Sequence, residues 1–596
     1  MGRIECRFGI KAPVSARTTE AGRLSYSPSV LVKAIGKERL LARCAAGAGA
    51  LATIAAIHLH WVSFVWAGGL WRDEIAATNI ARLPSLGAMW NALPHDHCPI
   101  LFASVIRIWS GTFGGTDVAL RVMGFAIGMF LLGSLWLAGR LMWRGTPVLC
   151  LTLFGLNVVV IRYGDSVRAY ELGTACIVLT MALVWRFVEQ PSIKRAFAAA
   201  LMATASVQAL YQNSVLVLAL CVAGCAVFAS QREWRKGIYV LAIGLLPAVS
   251  LAPYVRPLLR AQDWWVVSKT GLSARIILSN LALLTGHPAR WFRFIWLGLL
   301  ISVLLLAFER AVARPAERQA AKFRKLALFA GVALFTGILG YGLFLATAQL
   351  PTQPWYFLVL LGFAAVCCDA VLSGASFWMR VAVLGLALIA GVLAYPAGIR
   401  ALEFRQTDGD IVATQVSRSV AAGDLIVVNP WYYALTFSRY YHGAAPWTTL
   451  AGLNDYRYHR YDLLKLKLEA EHPEQPELDR VATTLRAGHR VWVVGWVPVF
   501  RLSDEPPPEL PPAPHGPSGW FDDPYTQSWG ARLYYLLATR AQSVIPVPVD
   551  SKDRINPLEN MGLTVASGWR GDEEGKSSSK VAQNGRVERR AGSITR

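Results

Sequence analysis

Between Cys44 and Tyr395 the chain is a succession of apolar runs, about eleven in all, each near the length an α-helix needs to cross the hydrocarbon of a bilayer. A backbone in that solvent must satisfy its hydrogen bonds internally, so such runs fold as helices. Hydrophobic residues make up 54% of the 596 and charged residues only 16%, the composition of a membrane protein. The first run, Cys44 to Leu70, is longer than the apolar part of a signal peptide. It reads as an uncleaved first membrane helix behind a polar, basic segment that ends near Arg43.

The formal net charge of +21 does not point to nucleic acid, because the excess Lys and Arg lie in short clusters between apolar runs. No basic patch interleaved with aromatics appears. Those clusters set a threading instead. Lys37, Arg39 and Arg43 hold the N-terminus inside, and helix one exits near Gly68. Helix two is expected over Val118 to Met142, three over Pro147 to Ile161, four over Ala169 to Arg186, and five and six as the pair Ala196 to Leu210 and Val215 to Ser230. Seven spans Ile238 to Val255, eight Trp291 to Phe308, nine Leu326 to Thr347; ten returns by Asp369, and eleven runs from Phe377 to Tyr395. Every basic cluster then falls inside, the strongest being Arg310, Arg314, Arg318, Lys322, Arg324 and Lys325. Pro99 to Trp109 is too short to span and carries Arg107, so it is expected to lie in the interface.

From about Arg400 the composition becomes that of a soluble α/β domain, with strand-like runs at Asp424 to Asn429 and Arg490 to Val497. The odd helix count places it on the extracytoplasmic side. The expected organisation is a polar segment over 1–43, a transmembrane domain over 44–399, the α/β domain over 400–570 and a polar tail over 571–596 with the composition of disorder. Pro506 to Pro517 reads as a loop. No cysteine follows Cys368, so the C-terminal domain has no disulfides, and Cys221 with Cys225 read as small packed residues.

Three segments bring ionisable side chains to the outer hydrocarbon boundary: Trp71-Arg72-Asp73-Glu74, His95-Asp96-His97-Cys98-Pro99, and Asp165 with Arg168. Charges held there are functional candidates. His58 and His60, isolated in helix one, read as packing or interfacial residues. Trp355 and Tyr356 read as interfacial belt aromatics.

The acidic pair Asp73-Glu74 after helix one is followed by His97-Cys98-Pro99, a Phe113-Gly114 turn, Arg121 opening helix two and Arg168-Ala169-Tyr170 after helix three. In this order the pieces resemble the polyprenol-dependent glycosyltransferases of the GT-C superfamily, the group of the protein O-mannosyltransferases and aminoarabinose transferase (glycosyltransferase family 39-like). The resemblance covers roughly Cys44 to Tyr395. Two departures stand out: Cys98 where relatives carry Pro, and Gln212-Asn213 after Tyr211 where they often carry His-Tyr.

The resemblance implies a GT-C fold of about eleven transmembrane helices in a bacterial inner (plasma) membrane, with site and C-terminal domain extracytoplasmic. It also implies transfer of a sugar from a polyprenyl phosphate to a lipid, glycan or protein acceptor, with inversion. Asp73 is the candidate general base, with Glu74 and Asp165 as the other catalytic candidates. Arg121, Arg168 and Lys269 are candidates for the donor phosphate, which Arg suits through its planar fork. His97, Tyr170 and Tyr211 are candidates for substrate contacts. The residues assign no cofactor with certainty: His97, Asp96 and Asp165 could gather a divalent cation, and metal use stays open.

Simpler roles compete. Asp73-Glu74 can cap a helix, Arg121 can snorkel, and Arg168 can pair with Asp165 or Glu171. For the whole chain, the rivals are a transporter or flippase of amphipathic substrates, and a receptor role for the Tyr-rich stretch Trp431 to Tyr441.

Overall fold

The computed structural model describes residues 17–18, 24–25, 28–96, 98–265, 267, 273–312, 318–349, 352–496, 506–514, 522–551 and 553–571. His97, Lys269, most of the N-terminal segment, part of the Pro-rich loop and the tail from 572 lie outside them. The chain forms two compact units. The first comprises Met1–Gly68, Ala76–Gln262 and Lys269–Phe404; the second comprises Gly69–Ile75, Asp263–Ser268 and Arg405–Arg596.

In the first unit a two-residue ladder, β1 (Arg17–Thr18) with β2 (Leu24–Ser25), precedes the long helix α1 (Pro28–Trp66). The short helices α2 (Arg72–Ala81, begun in the second unit), α3 (Leu86–Ala92) and α4 (Ile100–Phe113) follow. Then come α5 (Asp117–Met142), α6 (Val158–Gly164), α7 (Tyr170–Glu189), α8 (Ile193–Ala209), α9 (Asn213–Ser230) and α10 (Trp234–Leu251). The unit ends with α11 (Val255–Trp265, which passes into the second unit), α12 (Ala274–Thr285), α13 (Phe292–Val312), α14 (Arg318–Ala348), α15 (Leu358–Leu372) and α16 (Phe377–Leu402).

Nine helices among the described residues are long and apolar enough to cross a membrane. The two other expected spans are also helical but shorter. Helix five is α8, of 17 residues. Helix three is broken: a π turn at Cys150–Phe154 is followed by Asn157, whose side chain accepts from the N–H groups of Val159 and Val160 and so caps α6. The same amide donates to the Leu284 carbonyl at 2.8 Å. The break is therefore held by a polar side chain, as a membrane-embedded turn requires. Cys221 and Cys225 donate to the carbonyls of Val240 and Gly237, so both pack against α10.

Local chemistry sets the entry to α5. Gly114 stands at φ 90°, a conformation that only glycine adopts without strain, and Thr116 caps the helix by accepting from Ala119 N–H. That turn fixes where Arg121 leaves the first turn of the helix.

The second unit is built on a mixed sheet of order β4-β3-β5-β7-β6, with β3 (Leu425–Asn429), β4 (Trp447–Thr449), β5 (Val491–Gly495), β6 (Ala541–Pro546) and β7 (Leu563–Trp569). The strand β3 runs parallel to β4 and β5, while β7 is antiparallel to β5 and β6. Every residue of β3 and β5 is buried. Side chains alternate between faces: Leu425, Val427, Val491 and Val493 enter one core, and Ile426, Val428, Trp492 and Val494 enter the other. Each such side chain contributes about 1.5–3 kcal/mol on burial. The helices α17 (Gly409–Ser419), α18 (Tyr433–Tyr440), α19 (Tyr461–Leu468), α20 (Gln475–Arg486) and α21 (Asp523–Arg540) cover the sheet.

Asp424 fixes the register where β3 and β5 begin, accepting from Arg490 N–H at 2.9 Å and from the Trp492 indole at 3.1 Å. Three other carboxyls of this unit are buried at greater cost. Burial pushes Asp408, Asp522 and Glu559 up to about 7, hydrogen bonds offsetting only part of the effect. In an unfolded chain they would titrate near 4. At these three carboxyls the folded unit therefore takes up protons that the unfolded chain does not, so their contribution to stability is largest below the ordinary carboxyl range and declines as pH rises toward 7. The midpoint of thermal unfolding of this unit, followed in the full chain in detergent, is expected to rise from pH 8 to pH 5.5. Asp522→Asn should flatten that rise, and a midpoint higher at pH 8 would contradict it.

Candidate active site

In the first unit the candidate site is organised by Asp165, the residue that ends α6. Its Oδ1 accepts from the His60 imidazole at 2.7 Å, a buried pair between the turn after α6 and α1. Small residues on α5 make room for this. A Cβ on Gly124 would stand 2.0 Å from the Asp165 carbonyl oxygen, and one on Gly128 would stand 2.7 Å from His60 and 2.9 Å from the Asp165 carboxylate. The turn thus sits in a groove that glycines four residues apart cut into one face of α5.

Glu171, in the first turn of α7, completes the cluster and is 0% exposed. Both of its carboxylate oxygens and Oδ2 of Asp165 have no protein partner among the described residues. Gly164 packs directly on it, since a Cβ there would meet the Glu171 carboxyl at 2.4 Å. His60, Asp165 and Glu171 each offer one ligand atom within 4.8 Å of the others, so this trio could hold a divalent cation or share a proton. The imidazole and the second carboxylate were not singled out from the sequence: His60 read as a packing residue, and Glu171 only as a pairing partner for Arg168.

Arg168 pairs instead with Asp96, both buried, and this joins the end of the first loop to the turn after α6. Arg121 is buried as well and does not lie along a surface. Tyr211 stacks edge-on against Tyr254 at 5.6 Å, and Tyr254 donates to Gln208 at 2.6 Å and accepts from Ile100 N–H. Burial, then Tyr254, Cys98 and Asp96, push the Tyr211 hydroxyl well up, so it is a neutral hydrogen-bonding group close to Asp96. Tyr170 lies 6.2 Å from Tyr356 between ring centres. Trp355 is not a belt residue, being buried with its ring 4.4 Å from that of Tyr163.

Asp73 and Glu74 belong to the second unit, where each has its own surroundings. Glu74 is buried and accepts from Trp71 N–H at 3.0 Å, the reach-back bond of a capping box at the start of α2. Asp73 points elsewhere: its Oδ1 meets Nε2 of His459 at 3.2 Å, and its side chain keeps 23% of its exposure. Arg72 donates to Glu559 at 2.9 Å and to the Leu558 carbonyl at 2.8 Å, with its guanidinium 4.5 Å from the Tyr432 ring centre. Burial opposes the charge on Arg72, yet Glu559 and Asp73 hold its pKa above the ordinary value. His459 lies in the run Tyr456-Arg457-Tyr458-His459-Arg460-Tyr461, whose density of basic and aromatic residues is the one signal that could have marked it.

No protein-family model and no curated protein matches the chain. Solved structures do. The aminoarabinose transferase ArnT from Cupriavidus metallidurans in the apo state aligns with a TM-score of 0.50 at 11% identity, over 87% of this chain and 98% of that one. The same protein bound to undecaprenyl phosphate aligns at 0.46 and 13% identity, over 75% and 92%. The Archaeoglobus fulgidus oligosaccharyltransferase in its apo form aligns at 0.45 and 9% identity, over 76% and 69%. The first of these likenesses establishes the GT-C fold expected from the sequence. At such identities it extends to the fold alone.

The groove on α5 makes a testable demand. Gly124→Ala forces a methyl against a backbone oxygen, and overpacking of this kind costs about 1–3 kcal/mol. Its thermal midpoint in detergent is expected to fall by several degrees relative to Gly133→Ala on the same helix, where a Cβ meets nothing within 4 Å. Equal midpoints would show that the turn does not need the groove.

Proposed function

We propose that this protein is a membrane glycosyltransferase that moves a sugar from a polyprenyl phosphate to an acceptor hydroxyl or amine at the extracytoplasmic face. The observation that carries this reading is the buried Arg168–Asp96 pair in a GT-C fold, in the unit that also buries Asp165 against His60. A guanidinium buried in a membrane fold is expensive unless it meets a charge. A phosphate that presents paired oxygens is the ligand its fork suits best.

In the reaction the acceptor atom forms a bond to the anomeric carbon while the bond from that carbon to the phosphate oxygen breaks, the electron pair leaving with the phosphate. The new bond forms on the face opposite the old one, which inverts the configuration. Arg168 and Arg121 balance the charge that grows on the phosphate, and Asp96 keeps the Arg168 fork aligned. Asp73 accepts the acceptor's proton, with His459 orienting its carboxylate through their hydrogen bond. Glu74 serves this base indirectly by fixing the first turn of α2. Tyr170 and Tyr211 offer hydroxyls to substrate, and His97 and Lys269 follow as further contacts from the family resemblance. A divalent cation held by His60, Asp165 and Glu171 would add positive charge near the phosphate.

Membranes containing the protein are expected to transfer labelled sugar from a polyprenyl phosphate to an acceptor. Asp73→Asn should lower the rate by about 10²–10⁴-fold with expression unchanged. Unaltered transfer in that variant would remove Asp73 as the base, and transport of the lipid-linked sugar without transfer would replace the enzyme by a flippase. Arg168→Lys keeps the charge but loses the fork, and is expected to lower kcat more than it raises KM for the donor, because the charge it balances grows as the bond to phosphate breaks. Unchanged kcat and KM would place Arg168 away from the donor.

A further inference from the structure

At the other end of the helix bundle, where α1, α14 and α16 begin and α5, α13 and α15 end, the first unit forms a partly open cavity of about 1220 Å³. Its lining holds seven basic side chains, Arg39, Arg140, Arg144, Arg310, Lys322, Arg324 and Arg380, against two acidic ones, Glu38 and Asp369. Both acids are committed elsewhere. Glu38 receives two hydrogen bonds from Arg380, at 2.6 and 2.7 Å, and Asp369 accepts from the N–H groups of Leu149 and Cys150. Among the cations, Lys322 pairs with Glu189, while Arg39, Arg140 and Arg144 have no carboxylate partner among the described residues.

The basic end of a bundle is ordinarily a topology signal; what distinguishes this one is the order of side chains with depth. On α1 the lining passes from Arg39 to Leu41, Ala42, Ala45 and Ala46, and seven residues of helix carry it about 10 Å inward. On α5 Arg140 gives way one turn deeper to Trp136, and on α16 Arg380 gives way to Val383 and Leu384. Three helices thus place cations at the rim and apolar surface, small on α1, behind them. A free anion would use only the rim. An amphiphile with a phosphate at one end fits both zones.

We propose that this cavity binds an anionic phospholipid, its phosphate among Arg39, Arg140 and Arg144 and its acyl chains along the alanine face of α1. Basic pockets between helices on the cytoplasmic side are suited to such headgroups. This site is at the opposite end of the same helices from Asp165 and does not depend on the glycosyltransferase reading.

The test is native mass spectrometry of the full chain in a non-ionic detergent, titrated with phosphatidylglycerol, with phosphatidylcholine and with inorganic phosphate. A saturable, one-to-one phosphatidylglycerol adduct is expected, at least tenfold stronger than that of phosphatidylcholine and not displaced by millimolar phosphate. The double substitution Arg140→Ala with Arg144→Ala should weaken it at least fivefold. Ala46→Leu, which changes no charge, should weaken it by narrowing the apolar zone while leaving any binding of inorganic phosphate as it was. Equal binding of the two lipids, displacement by free phosphate, or unchanged binding in both variants would overturn the proposal.

Discussion

A carboxylate buried between helices must find a partner or the fold loses several kcal/mol, and in this chain Asp165 finds His60. The bond is possible only because α5 offers glycine at 124 and 128, where any larger side chain would occupy the space taken by the Asp165 backbone, its carboxylate and the imidazole. The break in helix three has the same purpose. Asn157 caps the short α6, and that helix ends at the point where Asp165 enters the groove. Arg168, three residues on, then reaches Asp96, so one turn ties α1, α5 and the end of the first loop together.

Much of this was legible in the sequence, and the reasons differ by element. The spans were clear because each apolar run must satisfy its own backbone within the membrane. The strands β3 and β5 were clear because they are buried on both faces and read as short continuous apolar runs, Leu-Ile-Val-Val and Val-Trp-Val-Val. Helix three was read as one span because its composition is apolar throughout; the Gly155-Leu156-Asn157 step that breaks it is a local signal and was outweighed. His60 was missed because a lone His in an apolar run has no visible partner, and its partner lies 105 residues away. The distance is greater still for His459, 386 residues from Asp73. Of the acidic pair after helix one, the sequence alone could not say that Glu74 turns back to cap α2 while Asp73 turns away.

The two ends of the membrane unit hold charge by different means. Near Asp165 the charges are few and buried: Asp165 meets His60 and Arg168 meets Asp96, while the Glu171 carboxylate has no hydrogen-bond partner among the described residues, which in a poorly hydrated setting favours a site that recognises one kind of group. At the opposite end the cations are many, three of them (Arg39, Arg140 and Arg144) exposed and the rest half-buried, and they form the rim of a cavity. The second unit keeps its own buried acids, and three of them stay near neutrality in pKa because burial outweighs the bonds they accept.

The central claim is that a sugar leaves a polyprenyl phosphate and arrives on an acceptor with its configuration inverted. Purified protein given a polyprenyl-phosphate sugar of known anomeric configuration and a panel of acceptors, followed by proton and phosphorus NMR, tests this directly. The account predicts free polyprenyl phosphate and glycosylated acceptor in equal amounts, with the opposite anomeric configuration. A product with retained configuration, or a donor left intact on every acceptor, would contradict it.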